Sequence, residues 1–324
     1  MGRVQKLGNS FMMDYVIRTS GLSRDFVSTR ALDGLTIEVP KGIVFGFLGP
    51  NGSGKTTTIR ILLGLLEPTS GSAEVLGFDT RRNPDDIRLR CGSLLEHAGI
   101  YEGLSAEDNL QLYGRIWNLS EPERRSRIKE LLQSFGLWDR RKDAAGTWSH
   151  GMKKKLAVAR AMLHRPAILF LDEPSAGLDP VAAAGLRDEL ASVVRSEGVT
   201  VFLTTHNLAE AEKLCSRVAV IRQGRLLAEG PPNQLRTNTE TDRLEIVGCK
   251  FSEEIIARLR TVPAVRSATV NDGKVLLELE SGSKAAPFVR LLVEMGAEVE
   301  EVRKGRFSLE DVFLALVEDD ANVQ

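Results

Sequence analysis

The 324-residue sequence is poor in cysteine and has no excess of either charge. It has 43 lysine and arginine residues and 44 aspartate and glutamate residues. This near-neutral balance does not predict electrostatic binding to nucleic acid or to an anionic membrane surface. The four histidines do not cluster, so no histidine-rich metal centre is predicted. The isolated cysteines fit neither a zinc site nor a disulfide framework, and we expect a reducing compartment. These cysteines are Cys91, Cys215 and Cys249.

Long hydrophobic runs are also missing. The longest apolar stretches, such as AILFL and GIVFGFLG, are far shorter than the roughly 20 residues that a membrane-spanning helix needs. The sequence does not begin with the positively charged and then apolar segments of a signal peptide, so we do not expect secretion. With 42% hydrophobic and 27% charged residues, the composition is that of an ordinary globular protein, and the length suffices for two domains.

The clearest motif that is present is FGFLGPNGSGKTTTIRILLGLL. The apolar run from Ile43 to Leu48 predicts a strand buried on both faces, and helical character follows from Thr57 to Leu66. Between them stands the pattern G-x-x-x-x-G-K-[ST]. The residues that fill it are Gly49, Pro50, Asn51, Gly52, Ser53, Gly54, Lys55 and Thr56. A plain glycine-rich turn is the alternative, but the spacing, the strand and the helix together favour nucleotide binding.

Each part of this motif suits a polyphosphate. The glycines allow the backbone to wrap the phosphates with its amide hydrogens pointing inward. Lys55 is expected to reach the β- and γ-phosphates, and the Thr56 hydroxyl is placed to bind Mg²⁺. Thr57 follows at the start of the helix and is included among the predicted nucleotide-binding residues.

A second motif, AILFLDEPSAGLDP, carries two acids at the end of an apolar strand. Asp172 suits a direct or water-mediated hold on Mg²⁺, and Glu173 is placed to polarise an attacking water. An acidic turn without function is the alternative. The strand TVFLTTH ends at His206, which either reaches a γ-phosphate from the same sheet or is an ordinary core or surface histidine.

These motifs, in this order, resemble the nucleotide-binding subunit of an ATP-binding cassette (ABC) transporter over roughly Tyr15 to Leu235. The resemblance implies an α/β P-loop fold in which a RecA-like core sheet is joined by antiparallel β and helical subdomains. It makes residues 49–56 the Walker A loop and Asp172 the end of Walker B. It makes Glu173 the catalytic carboxylate and His206 the switch histidine, with Lys55 assisting, and it implies ATP and Mg²⁺ as cofactors.

Three further positions follow from the same resemblance. SAGLD, Ser175 to Asp179, looks like the D-loop, so Asp179 is expected at the ATP site. Phe26 in LSRDF stands where the family stacks an aromatic ring on adenine, a contact that needs only a π-face; the alternative is a core aromatic. Glu96 stands where the family usually has glutamine. We expect its carboxylate to contact Mg²⁺, with a steeper Mg²⁺ dependence than glutamine would give.

The stretch TWSHGMKKKLAVARAMLHRP predicts a helix start, and helix N-termini attract anions. By the resemblance, Trp148 to Met152 occupies the signature position, where the family most often has LSGGQ. Ser149 and Gly151 match that pattern, and the other three residues depart from it. In the family this helix start binds the γ-phosphate held by a second subunit, so a second ATPase subunit is expected, most simply a homodimer. The run Lys153 to Lys155 predicts a solvated helix face.

The resemblance also divides the chain. It places the ABC domain over residues 14–236, with a helical subdomain at about 97–165. Residues 1–13 themselves look like a flexible extension. Residues 237–324 then carry the pattern βαββαβ, which is the ferredoxin-like arrangement of a small α+β domain, and a last helix is predicted from Ser308. The ending FSLEDVFLAL resembles ATPases of drug-resistance-type and polysaccharide-type exporters. No polar cluster marks a ligand pocket, which favours a structural or dimer-stabilising role over a small-molecule sensor.

We therefore predict a Mg²⁺-dependent ATPase that powers a membrane exporter of the drug, lipid or polysaccharide class. Two chains are expected to sandwich two ATP molecules and to move a separate integral membrane permease, which by resemblance docks near Glu96 to Ser105. The protein is then expected at the cytoplasmic face of the cell membrane, with no nucleic acid as partner.

Two alternative functions stay open. One is a soluble ABC-type ATPase that acts on ribosomes or DNA. Such proteins usually carry two fused cassettes or long coiled-coil insertions, and neither is found in this sequence. The other is a regulator that binds ATP without hydrolysing it. The presence of both Glu173 and His206 argues against that role.

Overall fold

The structure is a computed structural model that describes residues 15–96, 98–237, 241–271, 273–280, 282–305 and 309–313. These residues fall into two units, divided between Glu229 and Gly230. The predicted flexible extension and the residue Ser308, where a last helix was expected to start, lie outside the described residues. The predicted domain boundary at residue 236 stays a prediction.

The described strands are, in chain order, β1 (Tyr15–Phe26), β2 (Thr29–Leu35), β3 (Glu38–Pro40), β4 (Val44–Leu48), β5 (Ser70–Val75), β6 (Phe78–Asp79), β7 (Cys91–Leu94), β8 (Ile168–Asp172), β9 (Thr200–Thr205), β10 (Arg217–Arg222), β11 (Arg225–Gly230), β12 (Thr241–Cys249), β13 (Val265–Asn271), β14 (Lys274–Glu280) and β15 (Glu298–Gly305).

The described helices are α1 (Lys55–Leu62), α2 (Pro84–Arg90), α3 (Ala106–Ile116), α4 (Glu121–Ser134), α5 (His150–Ala161), α6 (Pro180–Glu197), α7 (Leu208–Leu214), α8 (Pro232–Thr237), α9 (Glu253–Arg260) and α10 (Ala286–Glu294). Short 3₁₀ turns span Trp138–Arg140 and Ala145–Thr147, and residues 309–313 are helical. Within the described part of the chain, no helix combines the length and the apolar character needed to cross a membrane.

The central sheet of the first unit has the spatial order β11-β10-β4-β9-β8-β7. From β10 to β7, neighbouring strands are parallel. Every residue of β4, β8 and β9 is buried, as the mostly apolar runs predict for strands covered on both faces. Because these three strands are adjacent and parallel, their carboxyl ends meet at one edge of the sheet, which is where ligands bind in open α/β folds. The predicted α/β class is confirmed.

A second sheet of the same unit has the order β2-β1-β5-β6, with β3 also paired to β1. The pairs of β1 with β2, β3 and β5 are antiparallel. One hydrophobic core contains Ile17 and Val75 of this sheet, Phe47 and Phe170 of the parallel sheet, and Ile59 of α1. The shared core therefore ties the antiparallel sheet to the helix that follows the predicted phosphate-binding motif.

Helices α3, α4 and α5 pack against one another. Arg127 of α4 is only 1% exposed and makes two hydrogen bonds to Glu197 at the end of α6, each 2.8 Å long. The same guanidinium donates to the Met162 carbonyl at 2.7 Å. This buried, bidentate pair links α4 to α6, the helix that connects β8 to β9.

The second unit has the sheet order β13-β14-β12-β15, and all neighbouring strands in it are antiparallel. With α9 between β12 and β13 and α10 between β14 and β15, this is the ferredoxin-like arrangement predicted from the sequence. The Ser252 hydroxyl caps α9 by accepting a hydrogen bond from the Ile255 amide at 3.4 Å. Ile255, Leu259, Phe288 and Leu292 of the two helices pack on the sheet.

Candidate functional site

The predicted phosphate-binding loop lies between the end of β4 and the start of α1. Gly52 and Gly54 have φ angles of 81° and 105°, in the left-handed region that favours glycine. A Cβ atom on Gly54 would lie 2.5 Å from the Ala31 carbonyl oxygen, and one on Gly49 would lie 2.3 Å from the Ile221 carbonyl oxygen. The loop can follow this path only because these positions lack a side chain.

Lys55 lies under this loop and is 6% exposed. Its Nζ donates to the carbonyl oxygens of Gly49 at 2.7 Å and Pro50 at 3.1 Å. It also lies 3.3 Å from Glu173 Oε1, an ion pair without hydrogen-bond alignment. The Ser53 hydroxyl is buried without a hydrogen-bond partner among the described residues. The pocket at the loop is lined by Ala31, Asn51, Gly52, Gly54, Lys55, Thr56, Thr57 and Glu173.

Asp172, the last residue of β8, is buried and accepts two short hydrogen bonds. Thr56 Oγ1 donates to Oδ2 at 2.7 Å, and Thr204 Oγ1 donates to Oδ1 at 2.6 Å. The structure thus joins Thr56 and Asp172, two predicted metal-binding residues that are 116 positions apart. Thr204 was not among the residues predicted for the site, because nothing in the run TVFLTT sets it apart from the neighbouring Thr205.

Glu173 begins the segment after β8 with a φ angle of 48°, which is uncommon for a residue other than glycine. Its amide donates to Thr204 at the carbonyl oxygen (3.2 Å) and at Oγ1 (3.1 Å). Its carboxylate Oε2 lies 3.0 Å from Nδ1 of His206 and accepts from the His206 amide at 3.4 Å. Because Oε1 faces Lys55, one carboxylate lies between the two other residues predicted to take part in catalysis.

The lysine run Lys153 to Lys155 is not a fully solvated face, contrary to the sequence-based expectation. All three residues are partly buried, because α5 packs between α3 and α6. Lys153 and Lys155 form ion pairs with carboxylates of other helices or loops, at 2.6 Å and 2.5 Å. Burial lowers the pKa of Lys154, and the nearby Asp172 and Glu173 carboxylates oppose that shift. Lys154 thus lies close enough to interact with Asp172, a predicted metal ligand, and with Glu173, the predicted catalytic carboxylate.

The predicted signature residues stand at the start of α5. The exposed Ser149 is the N-cap, and its hydroxyl accepts from the Met152 amide at 3.3 Å. Gly151 is buried, and a Cβ atom there would lie 3.0 Å from the Ala182 Cβ. In the described chain, no hydrogen bond joins Ser149 or Gly151 to the phosphate-binding loop. Asp179 similarly caps α6, since its Oδ1 accepts from the amides of the second and third residues of that helix at 3.0 Å.

Two predicted residues lie apart from this cluster. Phe26, at the end of β1, is 47% exposed and is therefore not a core aromatic. The Glu96 side chain is 74% exposed and lies 4.0 Å from the Arg60 guanidinium. No contact between described residues brings Glu96 to Thr56 or Asp172, so its role at a metal stays a prediction.

Two family models match the chain. One, described as "ABC transporter", matches residues 32–176, and the other, "ATP-binding protein DrrA1-3-like, C-terminal domain", matches residues 230–317. The first spans the phosphate-binding loop, the signature residues and both predicted acids. The second spans the sheet of the second unit.

Curated relatives match along nearly the whole chain. The daunorubicin resistance ATP-binding protein DrrA3 of Streptomyces coeruleorubidus is 38% identical over 97% of this chain and 99% of its own length. The daunorubicin/doxorubicin resistance ATP-binding protein DrrA of Streptomyces peucetius is 39% identical, over 93% and 92%. The bacitracin transport ATP-binding protein BcrA of Bacillus licheniformis is 35% identical, over 94% and 98%.

Solved structures agree with these matches. A structure described as the ATP-binding subunit of an ABC transporter is 31% identical and superimposes with a TM-score of 0.61, covering 69% of this chain and 92% of that one. The cbiO1 protein of Clostridium perfringens, described as part of the ABC transporter complex cbiONQ, is 25% identical with a TM-score of 0.65. That match covers 77% of this chain and 96% of the other.

Proposed function

The chain belongs to the ABC transporter family of ATP-binding proteins, and on that premise we propose how its own residues bind and hydrolyse ATP. The family predicted from the sequence motifs is confirmed. The protein is an ATP-hydrolysing subunit that powers a transporter. The finer proposal is a Mg²⁺-dependent homodimer that drives an exporter through a separate membrane permease. Its support is the resistance and transport named in the relatives' descriptions and the matching C-terminal domain.

ATP is held by the loop from Gly49 to Thr56. The amide groups of this loop and of the first turn of α1 supply donors for the β- and γ-phosphates, as expected for a helix N-terminus that follows a glycine-rich turn. The buried Lys55 ammonium, which is already held at the loop, adds a fixed positive charge. Phe26 lies exposed at the end of β1 and offers a ring for the adenine base.

The adjacent oxygens of Thr56 and Asp172 suit Mg²⁺. The hydroxyl and the carboxylate oxygen are hard donors that lie 2.7 Å apart, and Mg²⁺ is commonly held by one or two protein ligands together with phosphate oxygens and water. No group of three or more His, Cys, Asp or Glu side chains suited to a metal occurs among the described residues, which agrees with a site completed by the nucleotide. When bound, Mg²⁺ would neutralise charge on the phosphates.

Glu173 acts on the water that attacks the γ-phosphorus. Its carboxylate accepts the proton of that water as the new oxygen–phosphorus bond forms and the bond to the β-phosphate oxygen breaks, which releases ADP and phosphate. The contacts of its two oxygens with Lys55 and His206 hold the carboxylate in place. His206, more than half exposed at the end of β9, is free to contact the γ-phosphate as well.

The second subunit completes each site. Ser149 is exposed and caps a twelve-residue helix, so its hydroxyl and the first helical amides are available to an anion from outside the chain. We propose that this anion is the γ-phosphate bound to the loop of a second copy, with Gly151 and Asp179 at the same interface. Each dimer then holds two ATP molecules, and dimer closure is coupled to the permease.

We further propose that the protein works at the cytoplasmic face of the cell membrane, where residues 96–105 contact the permease. The chain is divided, in this proposal, into a cassette over residues 14–236 and an accessory domain over 237–324 with a structural or dimer-stabilising role. The transported compound is selected by the permease.

The observation that supports this mechanism most strongly is the meeting of Thr56, Asp172, Glu173 and His206 at one edge of the parallel sheet. The test is Glu173→Gln in the full-length chain, assayed for ATP hydrolysis and for dimerisation by size-exclusion chromatography. We expect kcat to fall at least about 100-fold, while ATP still binds and the ATP-bound dimer accumulates. Glu38→Gln, an exposed carboxylate on β3, is the control. Full activity of Glu173→Gln would refute the assigned role.

A further inference from the structure

The exposed ring of Phe26 has a cationic neighbour on its own strand. Phe26 is the last residue of β1 and pairs with Thr29 across a two-residue turn. The Arg24 guanidinium carbon lies 4.8 Å from the centroid of the Phe26 ring, within the range of a cation–π interaction. Residues two apart on a strand point to the same face, so the strand itself brings the two side chains together.

Arg24 is fixed by contacts other than the ring. Its Nη1 donates to the Glu67 carbonyl at 2.9 Å, and its Nε is buried. The backbone next to it is also held, because the Asp25 amide donates to Thr69 Oγ1 at 2.9 Å and the Thr69 amide donates to the Ser23 carbonyl at 2.8 Å. The guanidinium is therefore a fixed support for a ring that otherwise faces solvent.

We infer that Arg24 is a positioning residue that holds the Phe26 ring in the orientation in which it stacks on the adenine base. This inference rests on the proposed function, in which Phe26 contacts the base. Arg24 covers one face of the ring, and a planar base needs only the other face. Arg24 itself makes no contact with the nucleotide in this proposal.

The expected benefit is pre-organisation. A side chain that must be immobilised on binding weakens affinity by about two- to tenfold, because its conformational freedom is lost at that moment. A ring already held by a cation loses little freedom when the base arrives. The cation–π contact itself has a strength that corresponds to a factor of about two to five at an exposed site.

The test is equilibrium binding of ADP to the full-length chain by isothermal titration calorimetry. ADP lacks the γ-phosphate, so it reports on one chain's base and phosphate contacts without the second subunit. We expect Arg24→Met to weaken ADP binding by about three- to tenfold. Arg18→Met is the matched control, since Arg18 lies on the same strand and makes the same kind of contact, 5.3 Å from the Tyr15 ring. It should bind ADP as the unaltered chain does.

Four comparisons separate positioning from a general structural role. Arg24→Lys, which keeps the cation, should recover part of the lost affinity. Competition by inorganic pyrophosphate, which has no base, should be the same in Arg24→Met and in the unaltered chain. In a Phe26→Ala background, Arg24→Met should cause no further loss, because the ring through which it acts is absent. In ATP hydrolysis, Arg24→Met should raise KM and leave kcat unchanged.

Several results would overturn the inference. Unchanged ADP affinity in Arg24→Met would do so. The inference would also fail if Arg24→Met weakened pyrophosphate binding as much as ADP binding, or if it weakened ADP binding as much in the Phe26→Ala background as in the unaltered chain. Failure of the proposed function gives a different pattern. In that case Lys55→Met would also bind ADP like the unaltered chain, whereas failure of the inference alone leaves the Lys55→Met defect intact.

Discussion

Removing the Thr204 hydroxyl should damage both stability and catalysis, because this single buried group serves both acids of the site. Thr204 Oγ1 donates to Asp172 at 2.6 Å and accepts from the Glu173 amide at 3.1 Å. A hydrogen bond to a charged group contributes about 1.5–3 kcal/mol to stability. Most of this contribution is lost when a buried carboxylate loses one of its hydrogen-bond donors. The Glu173 amide still donates to the Thr204 carbonyl in this variant, so the loss of its hydrogen bond to the hydroxyl contributes little to the destabilisation. We expect Thr204→Val, which preserves shape, to lower the free energy of unfolding by about 2–3 kcal/mol.

The same strand provides a matched control. Thr200 is equally buried, and its hydroxyl accepts one hydrogen bond, at 2.8 Å, from the amide of Gly42, an exposed residue. Thr200→Val should lower the free energy of unfolding by about 1 kcal/mol, because the freed amide can bind water. For a unit of this size, 1 kcal/mol shifts the melting temperature by about 2–4 °C. Thermal unfolding followed by circular dichroism should therefore show a loss of about 4–12 °C for Thr204→Val and about 2–4 °C for Thr200→Val.

Activity adds a second readout. Displaced Asp172 and Glu173 carboxylates should lower the kcat of ATP hydrolysis by at least about tenfold in Thr204→Val, whereas Thr200→Val should keep its kcat. Thr204→Ser retains the hydroxyl and should recover most of both losses. Equal melting temperatures for the two valine variants, together with an unchanged kcat, would refute the assignment of Thr204 to the support of the two acids.

Three further variants test other parts of the structure. Gly54→Ala should abolish ADP binding in calorimetry, since its Cβ would lie 2.5 Å from a carbonyl oxygen at a φ of 105°, while Gly77→Ala, with nothing within 4 Å of its Cβ, should bind normally. Arg127→Met should lower the free energy of unfolding in urea by about 3–5 kcal/mol, because it leaves the Glu197 carboxylate half-buried and unpaired; a loss below about 1 kcal/mol would contradict this. Burial lowers the pKa of His164 to about 4 from 6.5, so the unfolded chain binds the proton first as the pH falls and the free energy of unfolding drops between about pH 6.5 and 4. His164→Phe should flatten that part of the stability profile, and an unchanged profile would exclude this histidine as its source.

The parts of the fold that the sequence predicted are those fixed by local patterns. Mostly apolar runs specify β4, which leads into Gly49, β8, which ends in acids, and β9, which leads into His206. The G-x-x-x-x-G-K-[ST] spacing specifies the loop into α1. The strand order β4-β9-β8, which these local patterns do not specify, then brings Thr56 to Asp172. The ferredoxin-like unit followed from the alternation of Leu277 and Leu279 with polar residues and from helical spacing around Phe288.

The features that escaped prediction depend on packing between distant segments. The helices that pack on either side of α5 bury part of Lys154. The lysines next to it in the sequence give no indication of this burial. The burial of Arg127 is decided by Glu197, 70 positions away. Thr204 looked like any strand residue because its role depends on the register of β9 against β8, in which it faces Asp172. Such non-local contacts leave no periodic signal along the chain.

The central claim is that each ATP is bound between two copies of the chain. The most direct measurement is the specific ATPase activity of the purified full-length protein as a function of its concentration, with the oligomeric state measured in the same buffer by analytical ultracentrifugation. Specific activity should fall with dilution in step with the fraction of protein that forms ATP-bound dimers. Constant specific activity down to concentrations at which only monomers are present would contradict the claim.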